Sequence, residues 1–184
     1  HAPINVREAV ALNEIGCRNL LDKIKDFTDA QDVLVLSTCN RTEVYYNSDK
    51  ELDQAIIKLI AMERGFVATK KITPYFKHIT DSAQAVQHLF YVGLGLESQV
   101  VGDMQISNQV KVAYQYAADN ETAGPFLHRL LHTIFFTNKR VVQETSFRDG
   151  AASVSYAAVE LIEELTSNTF QPRILLIGVG EIGE

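Results

Sequence analysis

Residues 33–47, VLVLSTCNRTEVYYN, constrain the fold more than any other stretch of the chain. Val33-Leu34-Val35-Leu36 is apolar and rich in β-branched residues, as a strand buried on both faces requires, and Glu43-Val44-Tyr45-Tyr46 alternates as a second strand. Between them, Ser37-Thr38-Cys39-Asn40-Arg41 puts a thiol beside a guanidinium in a short connection. A loop held by rigid strands is a usual place to present a reactive group, so Cys39 is a candidate nucleophile. A free thiol is only a few per cent thiolate at neutral pH, and Arg41 and His88 are the residues that could favour its ionisation.

The flanking sequence is largely helical. Apolar residues at helical spacing predict a helix over residues 6–27, with Gly16 as a weak point. A second, opened by Asp49-Lys50-Glu51, is predicted to run to about Arg64-Gly65, where glycine supplies a stop. Residues 73–78, TPYFKH, predict a short strand that Pro74 restricts to a sheet edge or a strand start. Asp81 or Ser82 then caps a helix carrying Leu89 and Phe90. Further helices are expected over residues 104–120, 125–145 and 153–165, with Gly124-Pro125 breaking the first from the second. The order is α+β and lacks a strand at its front.

A polar connection, residues 167–172, precedes Arg173-Ile174-Leu175-Leu176-Ile177-Gly178-Val179-Gly180-Glu181-Ile182-Gly183. An apolar strand running into Gly-x-Gly-x-x-Gly is the front of a dinucleotide-binding fold, in which the glycines let the backbone approach a pyrophosphate at a helix N-terminus. The second strand and the acidic ribose-binding residue of such a fold, which separate NADPH from NADH binding, are expected beyond Glu184. Thiol and glycine loop together point to reductase chemistry: a thioester accepts hydride more readily than an ester or an acid.

Other features bound the function. The formal net charge of −6 argues against a generally basic nucleic-acid binder. Two cysteines, Cys17 and Cys39, with no Cys-x-x-Cys pair, give neither a disulfide framework nor a metal motif, and Cys17 reads as a packed residue. His128 and His132 stand four apart, but no third ligand is evident and no metal is expected. With no long apolar run and no leader pattern, a cytoplasmic protein without a membrane span is the expectation.

The motifs match a family. Ser37-Thr38-Cys39-Asn40-Arg41-Thr42-Glu43, His88-Leu89-Phe90, Gly95-Leu96-Glu97-Ser98-Gln99-Val100-Val101-Gly102, Gln105-Ile106 through Gln109-Val110-Lys111, and Gly150-Ala151-Ala152-Ser153-Val154-Ser155-Tyr156 together resemble glutamyl-tRNA reductase, in order and over nearly the whole chain. The resemblance implies NADPH-dependent reduction of glutamyl-tRNA to glutamate-1-semialdehyde, the first step of tetrapyrrole synthesis by the five-carbon route. It implies a ferredoxin-like catalytic domain with a small mixed sheet over residues 1–148, the start of a spinal helix over 149–168, and the beginning of a Rossmann-type domain over 169–184. By position, the nucleophile falls on Cys39 and a histidine important for activity on His88. Substrate contacts fall on Thr38, Asn40, Arg41, Ser98, Asp103, Met104, Gln105 and Gln109, and the cofactor loop on Gly178, Val179, Gly180, Glu181, Ile182 and Gly183. The planar fork of Arg41 suits the substrate's free side-chain carboxylate. Homodimerisation through a C-terminal domain and partnership with an aminomutase are also implied.

Two departures stand out. The family usually has glutamate and a small residue or proline where this chain has Asp103-Met104, and its Ser-His-x-Thr-Ala-Pro segment is represented only by His1-Ala2-Pro3. The readings that rival reduction are a Cys-His acyl hydrolase or transferase, which needs no dinucleotide loop, and a binding fragment without catalysis.

Overall fold

The computed structural model describes residues 2–147, 154–175 and 177. Helix α1 (Ile4–Val10) and helix α2 (Glu14–Phe27) stand where the periodicity predicts one helix. The break has a local cause. Ala11 is extended, Asn13 accepts the Gly16 N–H (2.9 Å) as an N-cap for α2, and the Leu12 N–H is donated to Ser37 Oγ at 2.8 Å. A capping side chain and a cross-chain acceptor thus replace the helical bonds of this turn.

Strands β1 (Asp32–Ser37) and β2 (Thr42–Asn47) pair antiparallel, with Val33 opposite Tyr46 and Ser37 opposite Thr42. Val33, Leu34, Val35 and Leu36 are all buried, which fits their unbroken apolar run. Helix α2, helix α5 (Met104–Asp119) and helix α6 (Pro125–Glu144) pack on β1. The free side of β1 is closed by Thr122, whose carbonyl accepts the Val33 N–H (2.8 Å) and whose hydroxyl donates to the Val33 carbonyl (3.2 Å). At the start of β1 the buried carboxylate of Asp32 accepts the Leu127 N–H (3.1 Å) and caps α6 from outside the helix. Gly124 lets that carboxylate in, since a Cβ there would stand 2.7 Å from Asp32 Oδ1.

The expected mixed sheet is not present among the described residues: the sheet is a single antiparallel pair. Residues 73–78 do not form its edge. Short 3-10 turns at Thr69–Lys71 and Thr73–Tyr75 occupy this region, closed by the Ile72 N–H to Thr69 C=O (2.9 Å) and Tyr75 N–H to Ile72 C=O (3.0 Å) bonds. Pro74 fits the first turn of such a helix, where its missing N–H costs nothing. Helix α3 (Asp53–Glu63) packs on α2 and begins later than the sequence predicts, after Leu52 donates its N–H to Tyr46 Oη (3.1 Å).

Helix α4 (Ser82–Gly93) is capped by Asp81, which accepts the Gln84 N–H at 2.8 Å, and it packs on α5 and α6. Helix α7 (Val154–Thr166) leaves Val159, Leu161 and Leu165 more than half exposed. The strand predicted over residues 173–177 is not formed at the described positions 173–175 and 177, where Ile174, Leu175 and Ile177 are exposed. A strand needs a neighbour's ladder, and no described segment supplies one. The glycine loop from Gly178 to Gly183 lies outside the described residues.

Candidate functional site

Cys39 and Asn40 form the exposed tip of the β1–β2 hairpin. The Thr38 N–H donates to the Arg41 carbonyl (2.8 Å), leaving a two-residue loop. Loops this short usually rely on residues at positive φ, yet neither Cys39 nor Asn40 has one. Thr38 closes the turn by another route: its hydroxyl accepts the N–H groups of both Asn40 and Arg41, each at 3.2 Å. The base of the hairpin is clasped from the other side, where Ser37 Oγ accepts the Leu12 N–H and Thr42 Oγ1 donates to the Val10 carbonyl (3.3 Å).

Beside the tip, Arg41 immediately before β2 and Glu43 and Tyr45 within it alternate along the chain and meet around one carboxylate. Glu43 is their hub. One carboxylate oxygen accepts from Arg41 Nη1 (3.1 Å) and lies 3.3 Å from His88 Nε2 of α4, while the other accepts the Tyr45 hydroxyl at 2.6 Å. The rings of Tyr45 and His88 stack with centroids 6.4 Å apart. Burial works to raise the Glu43 carboxyl, but the hydrogen bonds from His88 and Tyr45 and the charge of Arg41 outweigh it and hold the group below its ordinary range. The Glu43 hydrogen bond, opposed by partial burial, raises the His88 imidazole above its usual value, which favours the imidazolium near neutrality. Burial and the adjacent Glu43 charge push the Tyr45 phenol far up, so it stays a neutral donor.

The structure brings Thr38, Cys39, Asn40, Arg41 and His88 together through this network and draws in one more segment. Arg41 Nη2 donates to the Glu97 carbonyl (2.5 Å), which ties the hairpin to the turn carrying Ser98. Within that turn Gly95, at φ +79°, accepts the Gly102 N–H (3.0 Å), and a Cβ on Gly95 would meet the Asp103 carbonyl oxygen at 2.9 Å. Asp103 itself caps α5, accepting the Gln105 N–H at 2.9 Å, while Met104 and Gln105 point outward and are exposed. Gln109 faces a different place: a cavity of about 240 Å³ lined also by Leu12, Asn13, Cys17 and Tyr116, which neither residues 38–41 nor His88 line. No hydrogen bond among the described residues reaches Cys39 Sγ from Arg41 or His88.

Burial, seconded by the nearby Glu14 charge, pushes the Cys17 thiol up to about 11, consistent with a packed residue. His128 and His132 share a partner in Tyr114, whose hydroxyl lies 2.5 Å from His128 Nδ1 and 3.4 Å from His132 Nε2. Among the described residues no group of three His, Cys, Asp or Glu side chains is placed to hold a metal ion. Three residues of the site carry no role in the sequence reading: Arg7, Glu43 and Tyr45. The alternation of Arg41, Glu43 and Tyr45 was the available signal for two of them. For Arg7, whose Nη1 donates to Asn40 Oδ1 at 2.6 Å from 33 residues upstream, the sequence held none.

Fold and site together define an α+β domain that presents an exposed thiol at the tip of a hairpin whose second strand carries a carboxylate bonded to His88. The family model for the N-terminal domain of glutamyl-tRNA(Glu) reductase matches residues 1–145. A glutamyl-tRNA reductase of Cytophaga hutchinsonii is 62% identical over 182 residues, covering 99% of this chain and 43% of that protein. One from Aquifex aeolicus is 38% identical over 187 residues, covering all of this chain and 44% of that protein. The solved structure of glutamyl-tRNA reductase from Methanopyrus kandleri superposes with a TM-score of 0.67 at 30% identity, over 89% of this chain and 37% of that one. The chain belongs to the glutamyl-tRNA reductase family. It spans less than half the length of the curated relatives it matches. No helix among the described residues is long and apolar enough to cross a membrane.

Proposed function

We propose that this chain is the substrate-handling part of an NADPH-dependent reductase that converts glutamyl-tRNA to glutamate-1-semialdehyde, the entry to tetrapyrrole synthesis by the five-carbon route. The observation that carries the reading is the exposed Cys39 at the hairpin tip, backed by the Glu43–His88 pair, within the segment that matches the family. The Cys39 thiolate attacks the ester carbonyl of the glutamyl group. The bond to the ribose oxygen of the tRNA breaks, that oxygen takes up a proton, and a thioester remains on Cys39. In this reading His88, raised toward its cationic form by Glu43, serves as the proton source and as the charge that favours the thiolate. Asn40, Arg41 and Ser98 border the glutamyl group. Thr38 sets the tip conformation, and Asp103, Met104 and Gln105 build the adjoining helix start. Gln109, farther along the same helix, lines the separate cavity with Cys17 and Tyr116.

NADPH, when bound, supplies the hydride that releases the product as an aldehyde and returns Cys39 to thiolate. Its loop is Gly178 to Gly183, with Val179, Glu181 and Ile182, at the front of a Rossmann-type domain starting near residue 169. Residues 1–148 then make up the catalytic domain, built on the β1–β2 hairpin and its helices, and residues 149–168 begin the spinal helix. A homodimer, an aminomutase that takes up the reactive aldehyde, and a cytoplasmic site alongside the tRNA pool complete the reading.

The test is the intact mass of the chain after brief incubation with glutamyl-tRNA and an acid quench, beside Cys39→Ser. A glutamyl adduct that hydroxylamine removes, and that Cys39→Ser lacks, is the expected result. An adduct of equal yield on Cys39→Ser would overturn the assignment, and release of free glutamate without any adduct would favour a hydrolase.

A further inference from the structure

Away from the thiol, one cluster of ligating side chains takes no part in the proposed reaction. His128 and His132 stand about one turn apart on α6, and Tyr114 meets them from α5, the helix packed alongside. The Tyr114 hydroxyl lies 2.5 Å from His128 Nδ1 and 3.4 Å from His132 Nε2, so two imidazole nitrogens converge on one oxygen. Both imidazole rings stand nearly perpendicular to the phenol, with interplanar angles of 88° and 79°. Side chains four apart on a helix start about 5–6 Å from one another at Cβ, and the use of Nδ1 by one ring and Nε2 by the other lets them meet at a single point. The third group comes from 14 positions upstream of His128, where spacing along α6 gives no sign of it.

A tetrahedral ion with bonds of about 2.0–2.1 Å holds its ligand atoms about 3.3 Å apart. The Tyr114–His132 separation of 3.4 Å already meets that spacing, and the Tyr114–His128 pair has to open by only about 0.8 Å to reach it. His132 is exposed and the other two are half-buried, so the fourth position faces solvent and is open to water. No Cys, Asp or Glu side chain among the described residues joins the histidine pair. Two imidazoles and one phenol oxygen suit zinc and its neighbours among the transition metals, whereas Mg2+ and Ca2+ take carboxylate and carbonyl oxygens. We propose that Tyr114, His128 and His132 form a binding site for a divalent transition metal of the zinc class, which cross-links α5 to α6. On binding, the Tyr114 hydroxyl gives its proton to solvent and coordinates as phenolate, while the two rings coordinate as neutral imidazoles. Lys111, whose ammonium lies 6.0 Å from the centre of the Phe135 ring that packs on Tyr114, adds a positive charge nearby and makes this a weaker site than one built from thiolates.

The test uses the chain with Cys39→Ser, which removes the exposed thiol as a competing ligand. Zn2+ affinity is measured by isothermal titration calorimetry, and the rise in melting temperature on adding ZnCl2 or MgCl2 is taken within each variant, so that loss of the site is separated from loss of the fold. One Zn2+ per chain is expected, with a rise in melting temperature that MgCl2 does not reproduce. Losing even an outer partner of a metal ligand weakens binding roughly ten- to hundredfold, so His128→Gln, His132→Gln and Tyr114→Phe should each lose at least about tenfold in affinity. His78→Gln, at a histidine that lies beside Asp53 instead, should bind as the parent does. Unchanged binding in either His128→Gln or His132→Gln, or a loss in His78→Gln alone, would put the metal elsewhere and overturn the proposal. Unchanged binding in Tyr114→Phe would overturn the three-ligand set. An equal response to Mg2+, or none to Zn2+, would reduce the cluster to a hydrogen-bonded contact between two helices and overturn the proposal as well.

Discussion

Replacing Glu43 by glutamine tests the network behind the thiol most directly. The substitution keeps the shape of the side chain and removes the charge used by His88 Nε2 at 3.3 Å, Tyr45 Oη at 2.6 Å and Arg41 Nη1 at 3.1 Å. A buried hydrogen bond to a charged group contributes roughly 1.5–3 kcal/mol, and bonds that share one acceptor group are not additive. His88 and Glu43 keep 29% and 21% side-chain exposure, so solvent screens part of the pair. A loss of about 2–4 kcal/mol on Glu43→Gln follows from these magnitudes. The loss depends on pH with a defined sign. Because His88 is raised in the folded state, its contribution is fully present below its ordinary value of 6.5 and disappears as pH rises through the folded value. Because Glu43 is lowered, its contribution is present above its ordinary 4.5 and disappears as pH falls through the folded value. The stability gap between native and variant chains is therefore widest between about pH 4.5 and 6.5 and narrows on either side, with the Arg41 and Tyr45 bonds sustaining a remainder at pH 8. Urea denaturation at pH 5.5, 7 and 8.5, with an NMR titration of the His88 ring, measures both effects. A gap independent of pH, or a His88 ring that titrates at the same pH in both proteins, would refute the reasoning.

Three further outcomes follow from local geometry. Gly95→Ala places a Cβ 2.9 Å from the Asp103 carbonyl oxygen at φ +79°, and should cost about 1–3 kcal/mol in thermal or urea melts and loosen the turn that Arg41 grips. Gly124→Ala drives a Cβ to 2.7 Å from Asp32 Oδ1 and displaces the acceptor of the Leu127 N–H; a loss of roughly 2–3 kcal/mol is expected, and a melting curve unchanged from native would contradict the role of Asp32 as the α6 cap. At pH 8 a thiol at about 11 is only ~0.1% thiolate, and Cys17 is 4% exposed, so iodoacetamide should alkylate Cys39 to completion while Cys17 reacts only after denaturation, as peptide mapping will show.

The parts of the fold that were legible in the sequence are those fixed by neighbours along the chain. The β1–β2 hairpin, the helix starts at Ser82 and Met104, and the Gly124-Pro125 break each follow from a few adjacent residues. The misreadings arise where composition alone does not decide which bonds the backbone makes. Residues 73–78 have strand-like composition but close local 3-10 turns, and residues 173–175 and 177 have strand composition without a described strand beside them. The site divides the same way. Cys39, Arg41 and His88 are conspicuous in their motifs, while Glu43 as hub and Arg7 at the tip emerge only when residues 33 and 45 positions apart are brought into contact.

The one helix that the periodicity missed and the placement of the thiol have a common origin. The bonds that end α1 and delay α2 are those that clasp the hairpin: Leu12 turns its N–H to Ser37, and the Val10 carbonyl takes the Thr42 hydroxyl. A continuous helix over residues 6–27 would have spent both backbone groups on itself and left Ser37 and Thr42 facing each other alone at 3.3 Å. The break also ends α1 one turn beyond Arg7, which donates to Asn40 next to the thiol. Further along the chain, the Glu97 carbonyl holds Arg41 on the opposite side of the tip. Cys39 is thus exposed to solvent while Ser37, Asn40, Arg41 and Thr42 are bonded to two separate segments, α1 with the junction that follows it and the turn before α5. Rigid support of a solvent-accessible thiol fits the attack proposed for Cys39 on the end of a large, diffusing substrate, because the reacting geometry is then already set when the substrate arrives.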